Sequence, residues 1–288
     1  MKRCKSLLLA PVFVMAFMLA ATAADAPTLT FKFTPVKVGK LTTGVGGINN
    51  AGVMVGQYQD KPAEMHGFML NGKTVTHIDH PKGSGTVCVH INSSGAIVGY
   101  YTNAKGREKG FLYQNGKFAT IPGPAGALYS QANGINDKGV IVGAYTTSTG
   151  SAQGFVLKGK TYKTLNPPGS SASTATGINN KGEIVLNWLD ASGSSESSIY
   201  NGKTYRTINV PGALQSLAQD INDVDDVVYQ WFPTDFSGHG ALLHKGKYYK
   251  FDCPKSMSTA GAGLNNVGVL VGSCQPLNNY IEGFKATY

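Results

Sequence analysis

The decapeptide Gly-Ile-Asn-Asp-Lys-Gly-Val-Ile-Val-Gly at 134–143 returns with small changes along the chain. Its Ile-Asn core recurs at Ile48, Ile91, Ile135, Ile178 and Ile221, and as Leu264 in the last copy. Successive cores are separated by 43, 44, 43, 43 and 43 residues. A constant period of this length with strand-like content indicates a repeat architecture of the propeller kind.

Each repeat contains four short strand-like stretches separated by turn signals. In the third repeat these stretches are 131–136, 140–145, 154–157 and 161–165. Asn136 and Gly139 fit the first and fourth positions of a type I turn, and Gly159 fits a hairpin turn that needs a positive φ. The 37 glycines among 288 residues suit many tight turns, and no helical period follows the N-terminus. We therefore expect each repeat to form one four-stranded antiparallel blade.

The two ends of the repeat region complement each other. The last repeat stops at Tyr288 after its third stretch, and residues 31–36, ahead of the first repeat, resemble the missing fourth strand. Pro35 is tolerated there because the outermost strand of a blade is an edge. We therefore predict an all-β fold, a six-bladed β-propeller of four-stranded antiparallel blades closed by the N-terminal strand. The alternative, an open solenoid, leaves 31–36 without a partner. The blades fall at approximately 39–80, 81–123, 124–167, 168–210, 211–253 and 254–288.

The N-terminus has the three parts of a secretory signal peptide. Residues 1–5 are basic, residues 7–20 are apolar, and residues 21–26 offer small-residue cleavage sites. The apolar part is too short and wrongly flanked for a membrane span. We predict a signal peptide at 1–24 and a single propeller domain at 25–288, with a soluble mature chain that is secreted or periplasmic.

The basic balance of the chain has a local explanation. The net charge is +9 and falls to +6 without Lys2, Arg3 and Lys5. Much of the remainder comes from lysines that follow a glycine in the same repeated turn: Lys73, Lys117, Lys160, Lys203 and Lys247. Separate turn tips lack the clustering of a nucleic-acid patch, so we expect no nucleic-acid partner. An anionic cell-surface polymer stays open as a weak partner.

The repeat also resembles a known group of proteins. Gly-Ile-Asn-x-x-Gly-x-Ile-Val-Gly, followed by Gly-Phe-Leu-Tyr-x-Asn-Gly-Lys-x-x-x-Ile and a Pro-Gly connection, is similar to the bacterial extracellular HAF-repeat proteins. The His-Ala-Phe position is held by His66-Gly67-Phe68 and His239-Gly240-Ala241, and its histidine is replaced by Lys109, Gln153, Glu196 and Glu282 elsewhere. The resemblance covers nearly all of the mature chain and implies an exported propeller, without an established activity.

Three cysteines remain after export: Cys88, Cys253 and Cys274. An odd number in an oxidising compartment indicates one bridge and one buried thiol. Cys253 ends a fourth strand and Cys274 ends the next second strand, so both approach one face and we predict a disulfide between them. The spacing and the lack of suitable histidine partners argue against zinc, and we expect neither a metal nor a cofactor.

The second strand ends in an aromatic residue in five repeats: Tyr58, Tyr101, Tyr145, Trp188 and Trp231. These strand ends lie on the face that also carries the longer, variable loops between strands 2 and 3 and between strands 4 and 1. We call it the variable-loop face, and it is where a function would be grafted. An exposed crown of aromatics would stack on sugar rings or other flat ligands. The alternative is that they wedge between blades as core.

Two repeats depart from the glycine that precedes the Ile-Asn core, with His90 in blade two and Asp220 in blade five. These blades lie opposite each other in a ring of six. If both side chains reach the central channel, they are candidates to bind an ion or to polarise a ligand. The alternative is a structural histidine and an unrelated aspartate.

The residues favour an exported, monomeric and non-enzymatic propeller that binds a glycan, a cell-surface polymer or a protein through its variable-loop face. The alternative is a carbohydrate-active hydrolase or lyase with a site at the channel mouth, which needs converging carboxylates or a His-Asp pair. A third hypothesis is a purely structural envelope protein. No nucleophile elbow, phosphate-binding loop or zinc-protease motif is present.

Overall fold

The protein is described here by a computed structural model that covers residues 28–148, 150–277 and 280–288. The predicted signal peptide at 1–24 lies outside the described residues. All regular elements within them are strands, and Phe31–Tyr288 forms one compact unit. Over the described ranges, no helix has the length and apolar character needed to cross a membrane.

The strands follow the repeat. In chain order they are β1 Lys32–Val36, β2 Thr42–Ile48, β3 Met54–Gln59, β4 His66–Asn71, β5 Thr74–Ile78, β6 Gly83–Ile91, β7 Ile97–Asn103, β8 Glu108–Gln114, β9 Lys117–Ile121, β10 Tyr129–Ile135, β11 Ile141–Thr146, β12 Ala152–Lys158, β13 Thr161–Leu165, β14 Ala172–Ile178, β15 Ile184–Leu189, β16 Ser195–Tyr200, β17 Tyr205–Thr207, β18 Gln215–Ile221, β19 Val227–Phe232, β20 His239–His244, β21 Lys247–Phe251, β22 Ser256–Leu264, β23 Val269–Pro276 and β24 Glu282–Thr287.

These strands form six four-stranded antiparallel sheets, one per repeat. Five sheets take four consecutive strands, and the sixth has the order β1-β24-β23-β22. Lys32 is paired with Thr287 and Val36 with Gly283, so the N-terminal strand forms the outer edge of the last blade. The predicted six-bladed propeller and its closure by the N-terminal strand are both confirmed.

The turn after each innermost strand is built by its asparagine. In blade three, Asn136 Oδ1 accepts the backbone N–H groups of Lys138 at 3.1 Å and Val140 at 3.0 Å. Gly139 closes this turn at φ +70°. Blade five has Asp225 at the glycine position, with φ +67°. Asp tolerates this left-handed region better than most residues do, and the turn is therefore kept.

The same asparagines join neighbouring blades. Asn136 Nδ2 donates to the backbone carbonyl of Asn179 in the next blade at 3.1 Å. All six amides do this, and the circle closes where Asn265 Nδ2 donates to the carbonyl of Asn49 at 3.1 Å. The other four bonds start at Asn49, Asn92, Asn179 and Asn222 and span 2.9–3.2 Å. We call this closed circle the amide ring, and all six asparagines in it are buried.

Apolar side chains fill the spaces between blades. Phe68, Phe111 and Phe155 come from the third strands of blades one, two and three, and all three are fully buried. Each joins a cluster that draws residues from its own blade and from an adjacent one. Near the axis there is less room, because a Cβ added to Gly134 would lie 3.1 Å from the Cα of Gly177. Glycine before the Ile-Asn core thus permits the close approach of neighbouring inner strands.

The structure joins Cys253 and Cys274 in a disulfide, with their Cα atoms 6.1 Å apart. The bridge links the end of blade five to the second strand of blade six, beside the closure. Cys88 is a free thiol that is fully buried in the cluster between blades one and two. Burial raises the pKa of the Cys88 thiol well above its usual range, so the group stays protonated.

Breaking the amide ring at one position should destabilise the whole propeller. Asn265→Ala removes the bond to the Asn49 carbonyl and leaves the N–H groups of Val267 and Val269 without their acceptor. We expect the free energy of unfolding to fall by about 3 kcal/mol. The control is Asn201→Ala, in an exposed turn with local bonds only, which should cost less than about 1 kcal/mol. Equal losses in urea titrations would contradict a ring that carries stability between blades.

The disulfide gives a second prediction. It closes a loop with a sequence separation of 21 residues, which corresponds to about 3 kcal/mol of stability in the chain-entropy model. We expect the Cys253→Ala/Cys274→Ala variant to lose about this free energy of unfolding. A reducing agent should lower the stability of the unaltered protein similarly and leave the variant unchanged. A reductant effect of equal size in both proteins would exclude the bridge as its cause.

Candidate functional site

Every innermost strand carries a β-bulge at the same place, two residues before the Ile-Asn core position. A bulge adds one residue that has no partner in the ladder and redirects its side chain. The bulged residues are Gly46, Val89, Asn133, Thr176, Gln219 and Ala262. All six line one cavity on the propeller axis. The axis is therefore lined by side chains that differ from blade to blade.

This axial chamber has a volume of about 290 Å³. The inner strands run from the variable-loop face toward the asparagine turns, so the bulges place the chamber on the variable-loop side of the amide ring. Its remaining lining comes from His90, Tyr100, Gln131 and Thr174. Most of its polar groups are thus neutral amides and hydroxyls, which both donate and accept hydrogen bonds.

A groove continues outward from the chamber across blade three. It has a volume of about 240 Å³ and shares Gln131 and Thr174 with the chamber. Tyr129 borders it with 43% of its surface exposed. Glu108, at the start of β8 in the neighbouring blade two, accepts a hydrogen bond from Gln131 Nε2 at 2.6 Å. We call the chamber and this groove together the axial site.

Apart from His90, the axial site carries little fixed charge. Burial, followed by the nearby Glu108 carboxylate, raises the pKa of Tyr100 above its ordinary value of 10.0. Tyr100 therefore keeps its hydroxyl proton and remains both a donor and an acceptor at neutral pH. Glu108 is the one carboxylate among the described residues that line the chamber and the groove.

His90 and Asp220, singled out in the sequence from opposite blades, meet on the axis. His90 Nε2 lies 3.3 Å from Asp220 Oδ2. The aspartate is almost fully buried, and it also accepts the backbone N–H groups of Ile221 at 2.9 Å and Leu264 at 3.2 Å. His90 lines both the chamber and the depression inside the amide ring. The pair therefore forms a floor that divides the channel.

The position of this pair favours a protonated imidazole. Burial lowers the pKa of His90, but the charge and hydrogen bond of Asp220, with smaller contributions from Asp137 and the Ile135 backbone, outweigh it and raise the pKa above 6.5. Nδ1 of His90 is buried and makes no hydrogen bond of standard geometry. The His90 imidazole thus lies between the chamber and the depression inside the amide ring, and its one side-chain partner is the Asp220 carboxylate.

On the other side of the floor the polar groups are satisfied among themselves. Five of the six residues that follow the ring asparagines donate their backbone N–H to the side chain of their counterpart in the next blade, as where Asp137 N donates to Asn180 Oδ1 at 2.8 Å. Asp223 is partly buried, yet bonds from the Asn180 backbone and from the Asn266 and Asn180 side chains lower its pKa. No group of three or more His, Cys, Asp or Glu side chains suited to a metal occurs among the described residues. We therefore place the candidate site on the variable-loop side.

The expectation of an exposed aromatic crown is not met. Tyr58, Tyr101, Tyr145 and Trp231 are buried, with 5–8% of their surfaces exposed, and Trp188 is partly buried. They wedge between strands, the alternative that the sequence left open, because large apolar surfaces gain most by leaving water. Tyr145 nevertheless borders the groove of the axial site.

The polar ends of these aromatics are engaged by their own blades. Tyr58 hydroxyl lies 2.8 Å from His77 Nδ1, and Tyr145 hydroxyl donates to Gln153 Oε1 at 2.7 Å. Trp188 Nε1 donates to Ser198 Oγ at 3.0 Å, and Trp231 Nε1 donates to the carbonyl of Gly240 at 3.2 Å. Tyr101 hydroxyl lies 3.5 Å from Thr120 Oγ1. These residues are thus built into the blades.

Sequence reasoning identified His90 and missed most of the axial site. Gln131, Thr174, Tyr100 and Tyr129 have no motif, and bulges do not alter the 43-residue period. One signal was present: the position two residues before the core residue changes character from Gly46 to Gln219 while the core Ile-Asn pair is kept in five copies and becomes Leu-Asn in the sixth. Variation at one position of an otherwise regular repeat marks a surface that the fold does not constrain.

No family model and no curated protein matches this chain. The fold is similar to that of a fucose-specific lectin from Aleuria aurantia, with a TM-score of 0.54 and 13% identity over 85% of this chain and 91% of that one. It is also similar to TolB from Acinetobacter baumannii, with a TM-score of 0.56 and 12% identity over 85% of this chain and 63% of that one. A gluconolactonase from Xanthomonas campestris gives a TM-score of 0.53 and 9% identity over 86% of each chain.

These similarities define the class of the chain as a β-propeller. At identities of 13% or below, a shared fold does not carry a shared function. The lectin and the gluconolactonase also differ from each other in what their names say they do. Function must therefore be argued from the side chains of the axial site.

The floor of the chamber gives a pH-dependent prediction. The double variant His90→Gly/Asp220→Gly restores the glycine of the other repeats and removes both titrating groups. Because the folded pKa of His90 is raised, its stabilisation is complete below the unfolded pKa of about 6.5 and is lost as the pH rises through the folded pKa. We expect the free energy of unfolding of the unaltered protein, relative to the variant, to fall as the pH rises above about 6.5. A difference that is constant or grows over this range would refute the charged pair.

Proposed function

We propose that this protein is an exported carbohydrate-binding propeller, of the HAF-repeat kind, that takes the end of a glycan chain in its axial site. The observation that carries the proposal is the lining of that site. Neutral amides and hydroxyls surround a chamber on the variable-loop side, and a groove with a partly exposed tyrosine leads away from it. Sugars present hydroxyl groups in all directions, and side chains that both donate and accept are suited to them.

The dimensions support one sugar unit in the chamber. Its volume of about 290 Å³ is at the lower end of the roughly 300–1,000 Å³ found for small-molecule sites. The amides of Asn133 and Gln131 come from blade three and that of Gln219 comes from blade five, so they approach a ligand from two sides of the axis. The groove then receives the next unit, with the ring of Tyr129 as its apolar surface.

The same lining argues against the hydrolase alternative. Glycoside hydrolysis uses a pair of carboxyl groups about 5–9.5 Å apart, one on each side of the scissile bond. Among the described lining residues only Glu108 has a carboxylate, and Gln131 holds it at 2.6 Å. Asp220 lies behind His90 and is bonded to backbone N–H groups. The pair is therefore suited to closing the channel and to presenting a polar floor.

The similarity of the fold to that of a lectin is consistent with glycan binding. The lectin from Aleuria aurantia is named for its specificity toward fucose, and one of its structures contains Fucα1-6GlcNAc. A propeller of this size and shape is therefore known to bind a glycan. We propose glycan binding here from the axial lining, with export inferred from the N-terminal sequence.

Two substitutions in the axial site test the proposal. A glycan array with the mature protein should identify a ligand, and Tyr129→Ala and Gln131→Ala should each weaken binding by about ten-fold, a loss of about 1.4 kcal/mol. Leu277→Ala is the matched control, because Leu277 is 78% exposed on another blade and is absent from the axial lining.

The outcomes separate clearly. Weakened binding in the axial variants with unchanged binding in Leu277→Ala supports the axial site. Full binding in both axial variants shows that any glycan is held elsewhere. Absence of binding across the array, with cleaved glycan ends appearing on it, favours the hydrolase.

A further inference from the structure

A second cluster of polar side chains lies on the variable-loop face of blade five, outside the axial site. Ser237 Oγ lies 2.8 Å from His239 Nε2. His239 Nδ1 lies 2.9 Å and 3.0 Å from the two carboxylate oxygens of Asp252. We propose that Ser237, His239 and Asp252 form a serine nucleophile that attacks carboxylic esters, an activity separate from glycan binding.

The blade holds the imidazole in place. His239 begins strand β20 and Asp252 follows the end of strand β21, so adjacent antiparallel strands set their distance. The ring of His239 stacks on Trp231 with centroids 5.0 Å apart and planes 29° apart. Lys250 Nζ lies 3.8 Å from the centroid of the same indole. The imidazole is therefore fixed by a carboxylate on one nitrogen and by stacking on its face.

The protonation of the two His239 ring nitrogens determines when Ser237 is activated. Nδ1 faces a carboxylate and carries a proton, so in the neutral imidazole Nε2 has a lone pair directed at Ser237 Oγ. Ser237 then donates its proton to Nε2, the arrangement of a nucleophile and its base. Asp235 Oδ1 accepts the Ser237 hydroxyl proton at 2.6 Å, and it competes with Nε2 for this proton while the imidazole is neutral. Asp235 keeps the Ser237 backbone N–H in both states, at 2.9 Å.

The other blades show which part of the cluster is special. Blade one has the same pair, with His66 Nδ1 3.0 Å from Asp79 Oδ2, but Glu64 stands at the serine position. Blade four has Ser194 at the serine position, but Glu196 replaces the histidine. The His-Asp pair thus occurs in blades one and five, and of these two blade five combines it with a serine.

Apolar groups border this serine and indicate the substrate class. Phe236 precedes Ser237, is 73% exposed, and has φ +61°. The Phe236 N–H donates to the Pro233 carbonyl at 3.1 Å, so this φ belongs to the tight turn that precedes the serine. Blade six adds Met257, which is 46% exposed on strand β22, and Thr259 N of the same strand donates to the Gly238 carbonyl at 2.8 Å. We assign the substrate as an ester with an apolar acyl group.

The reaction follows from these positions. Ser237 Oγ forms a bond to the acyl carbon while its proton moves to His239 Nε2. The ester C–O bond then breaks, and the leaving alcohol takes that proton. Water attacks the acyl-serine through the same base, which releases a carboxylic acid and restores the serine. The site is open to solvent, so we expect slow turnover and choose covalent labelling as the sensitive readout.

The test is labelling of the folded mature protein with a fluorophosphonate, in which a reactive serine displaces fluoride from phosphorus. Peptide mapping should place the adduct on Ser237, and p-nitrophenyl butyrate should be hydrolysed. Ser237→Ala should lose both signals. Asp252→Asn and His239→Gln should each slow labelling by about 100-fold, the typical contribution of a general base. Ser194→Ala is the matched control, because this serine lacks the histidine.

Each outcome decides the proposal. Labelling of Ser237 that is retained in Ser194→Ala and lost in Ser237→Ala supports it. It is overturned if folded protein gives no adduct on Ser237, if Ser194 and Ser237 label equally, or if Asp252→Asn labels at the rate of the unaltered protein. Ser237→Ala removes one hydroxyl from an exposed loop and keeps the fold, and it should leave glycan binding unchanged. The two proposals therefore fail independently.

Discussion

Six buried side-chain amides hold the inner strands of this propeller in a circle. Each asparagine satisfies its own turn through Oδ1 and the neighbouring blade through Nδ2, so local and long-range structure depend on one side chain. Since leaving a buried polar group unpaired costs about 1–3 kcal/mol, a blade that drifted outward would lose its bonds on both sides. The closing bond between Asn265 and Asn49 joins residues 216 positions apart. The amide ring and the N-terminal strand together join six sheets, each of which would be only weakly stable by itself, into one fold.

The amide ring separates two faces of the molecule that carry different kinds of side chains. On the turn side, asparagines and aspartates bond to one another from blade to blade, as Asp137 does to Asn180. On the variable-loop side, each inner strand presents one bulged residue that the ladder does not use. His90 and Asp220 separate the sides by replacing glycines at the narrowest level of the axis. A propeller with six glycines there would have an open passage, whereas this one has a chamber with a polar floor.

The period of the Ile-Asn core predicted the architecture because six copies of one turn leave few alternatives. The same periodicity placed His90 opposite Asp220, since blades two and five face each other in a ring of six. Alternation along a strand left both an exposed crown and a buried core open for Tyr58 and Trp231, because it gives the direction of a strand end and not the depth of the neighbouring blade; the structure shows the buried arrangement. The sequence did not allow Gln131 and Thr174 to be predicted as axial residues. Their place on the axis depends on bulges and on blade twist, which a repeat pattern does not encode. The same holds for Ser237, which meets Asp252 only through the pairing of β20 with β21.

The central claim is that the fold gathers variable side chains on its axis to form a glycan site. A crystal structure of the mature protein, grown with the glycan that binds best on an array, tests it most directly. The account predicts density for the terminal sugar within hydrogen-bond distance of Gln131 or Thr174, with the next unit against Tyr129. Density for the glycan between blades at the rim, with only water in the axial chamber, would contradict it.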